Sequence, residues 1–245
     1  MNKLKTTFLI ILITQASFAT IRYVSKTGSS TPPYISWETA SDSIQKCINI
    51  CSSGDTIIVA NGVYKETLII NTAITLLGSS MDSCVIDGTG LVAPVPNDEG
   101  ITINARKDLT ICNFKLMGKG EGTVLTVVIA SFKSNTTLTV ENCRILNSNQ
   151  GVGSLGKGYR YTNLIFSNIK GEIYNSTGST FDTSFIKNCI FVKTHNLSPT
   201  ITVWRGNTVI ENNILLATVK DASHGLQIIY PNIKLIKNNI ISNYN

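Results

Sequence analysis

Charge is scarce in this chain. Of its 245 residues only 15% are Asp, Glu, Lys or Arg, against roughly 25% in an average soluble domain. Turns must therefore be built from short polar side chains, chiefly Asn, Ser and Thr, rather than from salt bridges. The basic residues never gather into a run, which excludes a surface that tracks phosphates, so no nucleic-acid partner is expected. Histidine is reduced to His195 and His224, both expected in loops, and no closely spaced Cys and His pattern has the form of a zinc site. Past the first residues no apolar stretch approaches the ~18–20 residues that span a bilayer. Disorder is excluded too, because 42% of the chain is hydrophobic and evenly spread.

The one concentrated apolar stretch lies at the N-terminus. Lys3 and Lys5 precede an apolar segment at residues 8–13, and Ser17, Phe18 and Ala19 follow as a small-residue cleavage site. That is the order of a secretory signal peptide, expected over 1–19, and it predicts a secreted or cell-surface protein with no membrane span after removal. Loss of two lysines lowers the formal charge from +6 to +4. Six cysteines remain. Cys47 and Cys51 lie four apart on an expected helix, a poor geometry for bridging. Cys143 and Cys189 share one repeat position two coils apart, so all six are read first as small buried hydrophobes.

What the chain has in abundance is a repeat. Asn113, Asn142, Asn168, Asn188, Asn212 and Asn238 each close a short β-rich run, at intervals of 29, 26, 20, 24 and 26 residues. A period in the range of roughly 20–50 residues describes a solenoid whose coils bury their apolar faces by stacking. Two residues before these Asn stand Ile111, Val140, Phe166, Ile186, Ile210 and Ile236; three after stand Leu116, Ile145, Gly171, Phe191, Leu215 and Ile241. Alternation on both sides places Asn at a corner between two strands. Gly78 holds the same place in the first coil, read as another left-handed corner.

A further apolar strand precedes most corners by about ten residues, at 101–103, 127–129, 201–203 and 227–229. Three β-branched strands per coil predict an all-β fold, a parallel β-helix, from 56 to 245. A leucine-rich solenoid would need Leu at fixed offsets and one strand per repeat. Before the array, residues 20–55 hold a strand and a helix at 41–51, N-capped by Ser41 or Asp42. Its apolar positions Ile44, Cys47, Ile48 and Cys51 fall on one face, as a cap on the first coil requires. Gly151, Gly153, Gly156 and Gly158 lack the order of a phosphate loop and are read as a flexible coil edge. The chain stops soon after the last corner without a cap, so the array is expected to continue beyond residue 245 in a longer protein.

The stretch Tyr23-Val24-Ser25, Trp37, Ile44-Gln45, Ser53-Gly54-Asp55-Thr56, Gly62-Val63-Tyr64, Ile74-Thr75-Leu76-Leu77-Gly78 and Val85-Ile86-Asp87-Gly88 resembles the opening of exported right-handed parallel β-helix proteins of the pectin lyase-like superfamily, which implies a right-handed parallel β-helix here. The resemblance implies polysaccharide as partner, acidic in the depolymerases, bound along an outer strand face. Its lyases use a Lys or Arg base beside calcium-binding carboxylates, so calcium is implied by resemblance alone. The closely spaced Asp pair of the superfamily's hydrolases and the Asp, Gln and Arg pattern of its esterases are not visible here. Arg106, Lys133, Arg160, Trp204, Arg205 and Tyr230 follow the strand before each corner. Stacked, they would form a basic and aromatic stripe able to hold sugar rings and uronates. Two classes stay open: a carbohydrate-binding protein that is part of a polysaccharide lyase or hydrolase, and a non-catalytic adhesin-like scaffold. The sequence leaves catalysis itself undecided. Asn135, Asn175 and Asn196 also fit the glycosylation sequon.

Overall fold

The computed structural model describes residues 19–91, 100–120, 126–175, 183–194, 199–204, 206–219, 224–229 and 233–244. All but the last residue of the expected signal peptide lies outside them, as do His195, Asn196, Arg205 and Tyr230. In chain order the opening holds β1 (Ile21–Val24), helix α1 (Ile44–Ile48), β2 (Thr56–Val59), β3 (Gly62–Tyr64), β4 (Leu68–Ile70), β5 (Ile74–Gly78) and β6 (Cys84–Asp87). The middle holds β7 (Ile101–Ala105), β8 (Leu109–Cys112), β9 (Lys115–Met117), β10 (Val127–Ser131), β11 (Thr137–Glu141), β12 (Arg144–Ser154), β13 (Gly158–Thr162) and β14 (Ile165–Asn175). Then come β15 (Ser184–Lys187), β16 (Ile190–Lys193), β17 (Ile201–Val203), β18 (Thr208–Glu211), β19 (Ile214–Ala217), β20 (Leu226–Ile228), β21 (Ile233–Lys237) and β22 (Ile240–Ser242).

Every named pairing among these strands is parallel, and each joins one coil to the next, which makes a right-handed parallel β-helix with three faces. The first face runs β1-β2-β5-β8-β11-β13-β15-β18-β21. The second follows each corner, through β3, β6, β9, the start of β12 and β14, then β16, β19 and β22. The third runs through β4, β7, β10, the ends of β12 and β14, then β17 and β20. Inside lies one continuous core, and the inward columns of the first face are almost fully apolar.

The corner column is real, with one correction. Glu141 pairs with Thr162, and Thr162 with Lys187, so the corner between Asn142 and Asn188 is Asn163, not Asn168. With that change every column is coherent: Tyr161 replaces Phe166 two before the corner, and Phe166 replaces Gly171 three after it. Gly171 was the one position in its column without an apolar side chain. Asn113, Asn142, Asn163, Asn188, Asn212 and Asn238 all have φ between 50° and 62°, the left-handed geometry that Asn tolerates better than most residues. Each corner N–H through Asn212 donates to the next coil, as Asn113 N does to Glu141 O at 3.2 Å and Asn163 N to Lys187 O at 3.1 Å. Asn168 belongs to a second corner, where its amide donates to Asn147 Oδ1 at 3.0 Å.

Corner side chains bond from coil to coil, Asn163 Nδ2 donating to Asn142 Oδ1 at 2.9 Å, and a second ladder one residue further on points inward. Asn213 Nδ2 donates to Ile186 O at 3.0 Å, and Asn239 Nδ2 to Ile210 O at 2.9 Å. In earlier coils the same position holds Cys143 and Cys189, whose thiols point at Ile111 O and Tyr161 O at 3.9 and 3.8 Å. Burial pushes both thiols up to about 12, so each stays protonated as a weak donor. No cysteine is bridged. Gly78 plays a different part from the one expected: it ends β5 in extended geometry. A Cβ there would lie 2.3 Å from Asn113 O, so close backbone approach, not a left-handed corner, demands glycine.

Helix α1 is shorter than expected and is capped by Ser43, whose Oγ accepts from Lys46 N at 3.2 Å. Ser41 and Asp42 turn earlier because Ser41 backbone groups pair with β1 instead. Ile44, Cys47 and Ile48 are buried as the periodicity required. Glu66 clamps the helix start, accepting from Ser43 Oγ, Ile44 N and Gln45 N at 2.8 to 3.0 Å. The side chain of Gln45 imitates a strand against β4, donating to Ile69 O and accepting from Ile69 N.

Candidate functional site

The third face positions the site. Register sets Asn104, Ala130, Gly153, Tyr174, Thr202 and Gln227 in one row, a residue per coil. Beneath it Ile129, Val152, Ile173 and Ile201 are buried in the core. The row changes character midway. Ala130 and Gly153 are small, and a Cβ at Gly153 would meet nothing closer than 3.7 Å. Tyr174, Thr202 and Gln227 then carry ring, hydroxyl and amide.

Around them lies an open groove of about 490 Å³. Asn149, Gln150, Lys170, Gly171, Ile173 and Tyr174 line it from β12 and β14, Thr202 and Gln227 from β17 and β20, and Pro199 and Trp204 from the flanks of β17. Tyr174 and Trp204 have ring centroids 6.3 Å apart at 61°. Two half-buried rings set edge to face make an angled apolar wall with polar edges. The Gly151 to Gly158 segment thus proves different from a flexible edge: Gly151 and Gly153 sit within β12, one of the two longest strands. Gly156 is required elsewhere, since a Cβ would lie 2.2 Å from Thr136 O.

Behind the groove wall Lys193 is fully buried, its Nζ donating to Lys170 O at 3.0 Å. The bond ties β16 to β14 beside the bend that delivers Tyr174. Sequence reasoning missed Tyr174 and Lys193. The signal for Tyr174 was the misplaced corner: with Asn163 as corner, the chain from residue 165 has length enough for two faces.

The residues expected to form a stripe are dispersed. Arg106 follows β7 and Lys133 follows β10, one coil apart at the edge between the third and first faces. Arg160 lies within β13 on the first face, its guanidinium 5.5 Å from the Phe185 ring. It is three residues before the true corner, so it cannot join a row on the third face. Trp204 alone of the described candidates enters the groove; Arg205 and Tyr230 lie outside the described residues. Calcium takes six to eight oxygen ligands. Among the described residues no three His, Cys, Asp or Glu converge to hold a metal ion, so those residues do not fit it. Among them, too, no helix is long and apolar enough to cross a membrane.

The chain matches no family model and no curated protein. Solved structures are similar in fold. A pectin methylesterase in complex with a hexasaccharide superposes with a TM-score of 0.57 and 16% identity, over 93% of this chain and 70% of that one. The pectin methylesterase of Erwinia chrysanthemi gives 0.55 and 17% over the same shares. A deglycosylated pectin methylesterase of Aspergillus niger gives 0.54 and 16%, over 93% of this chain and 87% of that one. The shared feature is the right-handed parallel β-helix fold.

Proposed function

We propose that this chain is an exported β-helix protein that binds polysaccharide in the groove of its third face. The observation that carries the reading is the Tyr174 and Trp204 pair, set at 61° over strands that present Gln150, Thr202 and Gln227. Ring faces hold the C–H faces of sugars, while amides and hydroxyls exchange hydrogen bonds with sugar hydroxyls. Pectin methylesterases of the same fold, one of them in complex with a hexasaccharide, support a pectin-like glycan as ligand.

Binding of pectin oligosaccharides, followed by calorimetry, tests this. Trp204→Ala is expected to lower affinity about tenfold or more, as loss of a central aromatic anchor does. A change within twofold, with the fold intact by circular dichroism, would remove the groove from the reading. Export is checked by finding the mature chain outside the cell with its N-terminus at Thr20.

The second reading is a non-catalytic scaffold, and a specific observation favours it. The described groove is lined with amides, a hydroxyl, two rings and the one ammonium of Lys170, with no carboxylate beside it, chemistry that holds a glycan without supplying an acid and base pair. Screening pectate, alginate and glycosaminoglycans for unsaturated products by ultraviolet absorbance, and pectin for released methanol, separates the two. Product from any polymer would make the chain an enzyme and sink the scaffold.

A further inference from the structure

We infer that the outer surface of the second face is a contact with a second copy of this chain, set antiparallel to the first. It starts from a break in alternation. A strand with one side in water alternates apolar and polar residues. In the later coils the first face does so, turning Glu141, Thr162, Lys187 and Glu211 outward in one column. The second face of the same coils is largely apolar on both sides. Inside, Ile145, Phe166, Phe191 and Leu215 are buried. Outside, register stacks Ile165, Ile190, Ile214 and Ile240 in one column, and Leu146, Ser167, Val192, Leu216 and Ser242 in the next. Ile190 and Leu216 are each 37% exposed and Ile240 is 59% exposed. A contiguous aliphatic surface of this kind marks a contact.

The pattern fits itself. A two-fold axis through Ile190, along its strand, reverses the order of the coils and keeps each column opposite itself. Leu146 of one copy then faces Ser242 of the other, and Ser167 faces Leu216. Large side chains meet small ones, so the two layers interdigitate. Charge selects the same orientation. Lys115 and Arg144 precede Ile165 in the first column. The antiparallel order carries them to opposite ends of the pair, whereas a parallel order would gather the like charges of both copies in adjacent rows. Arg144 falls at the rim, its guanidinium paired with Asp82 at 3.4 Å. Five coils at a spacing of ~4.8 Å make the patch roughly 20 Å tall. Covering it with its flanks removes about 1,000 Å² from water in total, the lower end for a specific contact, so the dimer is weak.

Sedimentation velocity of the mature chain between about 1 and 200 μM tests this, with circular dichroism to check that each variant is folded. A monomer–dimer equilibrium is expected. Ile190→Lys sets two like charges on the axis and is expected to raise the dissociation constant at least about tenfold. Ile236→Lys, at the last coil, is expected to leave it within about twofold. Ser167→Leu is expected to weaken the dimer by setting Leu against Leu216, and Ser167→Leu combined with Leu216→Ser to restore it. These two positions lie two coils apart in one chain, so restoration requires that they meet across copies. A monomer at every concentration would overturn the proposal. Association that survives Ile190→Lys would overturn its assignment to the second face, and its loss in Ile236→Lys would move the contact to the last coil. A double variant that fails to restore the dimer would overturn the antiparallel order.

Discussion

The two ends of the solenoid carry the same kinds of residue and meet water differently. At the N-terminal end the first and third faces of the first coil are covered. Tyr23 N, Tyr23 O and Ser25 N of the first strand pair with Tyr34 O, Ser41 N and Ser41 O at 2.7 to 2.9 Å, while Gln45 covers β4 and Glu66 holds α1 in place. Beneath sits Asp55, fully buried, bonded to Arg22 Nε at 3.0 Å and to Thr20 N at 2.8 Å. At the other end β21 and β22 leave Leu235, Ile236, Ile240 and Ile241 42 to 59% exposed. Ile233 and Tyr244 pack back against the core there, the Tyr244 hydroxyl 2.7 Å from Thr200 Oγ1. Ile236 stands in the column of Ile111 and Ile210, which are 0 and 1% exposed. In a solenoid, then, an apolar residue becomes core only when the next layer covers it.

The largest test of that contrast is Asp55→Ala, which leaves Arg22 buried without its partner and should cost about 3–5 kcal/mol. Denaturant unfolding would read it, and a loss under about 1 kcal/mol would contradict a closed end. Next, Ile111→Ala should cost about 2–5 kcal/mol as a cavity in a covered layer. Glu66→Ala removes three hydrogen bonds to the start of α1 and should cost about 1–3 kcal/mol. Amide exchange should quicken over residues 44–50 and stay unchanged in the last coils; uniform quickening would argue against a local clamp.

Acid should act at the closed end as well. Burial works to raise the Asp55 pKa, but hydrogen bonds from Thr20 N, Ser52 N and Arg22 outweigh it, so the group sits below its ordinary 3.8. Its stabilisation is therefore full above the unfolded value and is lost as pH falls through the lower folded value. Asp55→Asn should flatten the pH dependence of stability below about pH 4. An unchanged acid limb would refute the sign. Smallest is Ile236→Lys at the open end, expected within about 0.5 kcal/mol of the parent. A cost near that of Ile111→Ala would show the end to be covered after all.

Period and composition carried the architecture because a stacked coil writes its columns directly into sequence. Residues one coil apart must be alike, and left-handed corners admit few residue types. Where legibility failed, it failed in particular ways. Asn163 and Asn168 both sit at corners with positive φ, and only the pairing of Thr162 with Glu141 and Lys187 tells which belongs to the main column. Arg160 went to the wrong face for the same reason. Gly78 was legible as necessary, but its cause was a carbonyl from the next coil, which no local pattern contains.

By itself the sequence determined an all-β solenoid with three strands per coil, Asn corners and a helix over the first layer, since those follow from local geometry repeated at a fixed period. Tertiary structure alone decided where the layers register, and with that the groove. Tyr174 and Trp204 stand 30 residues apart in the chain and meet across the third face only because β14 pairs with β17 from Ile173 to Asn175. Strand register is set by what packs beneath, and a shift of one residue would turn the row to the other side of the sheet.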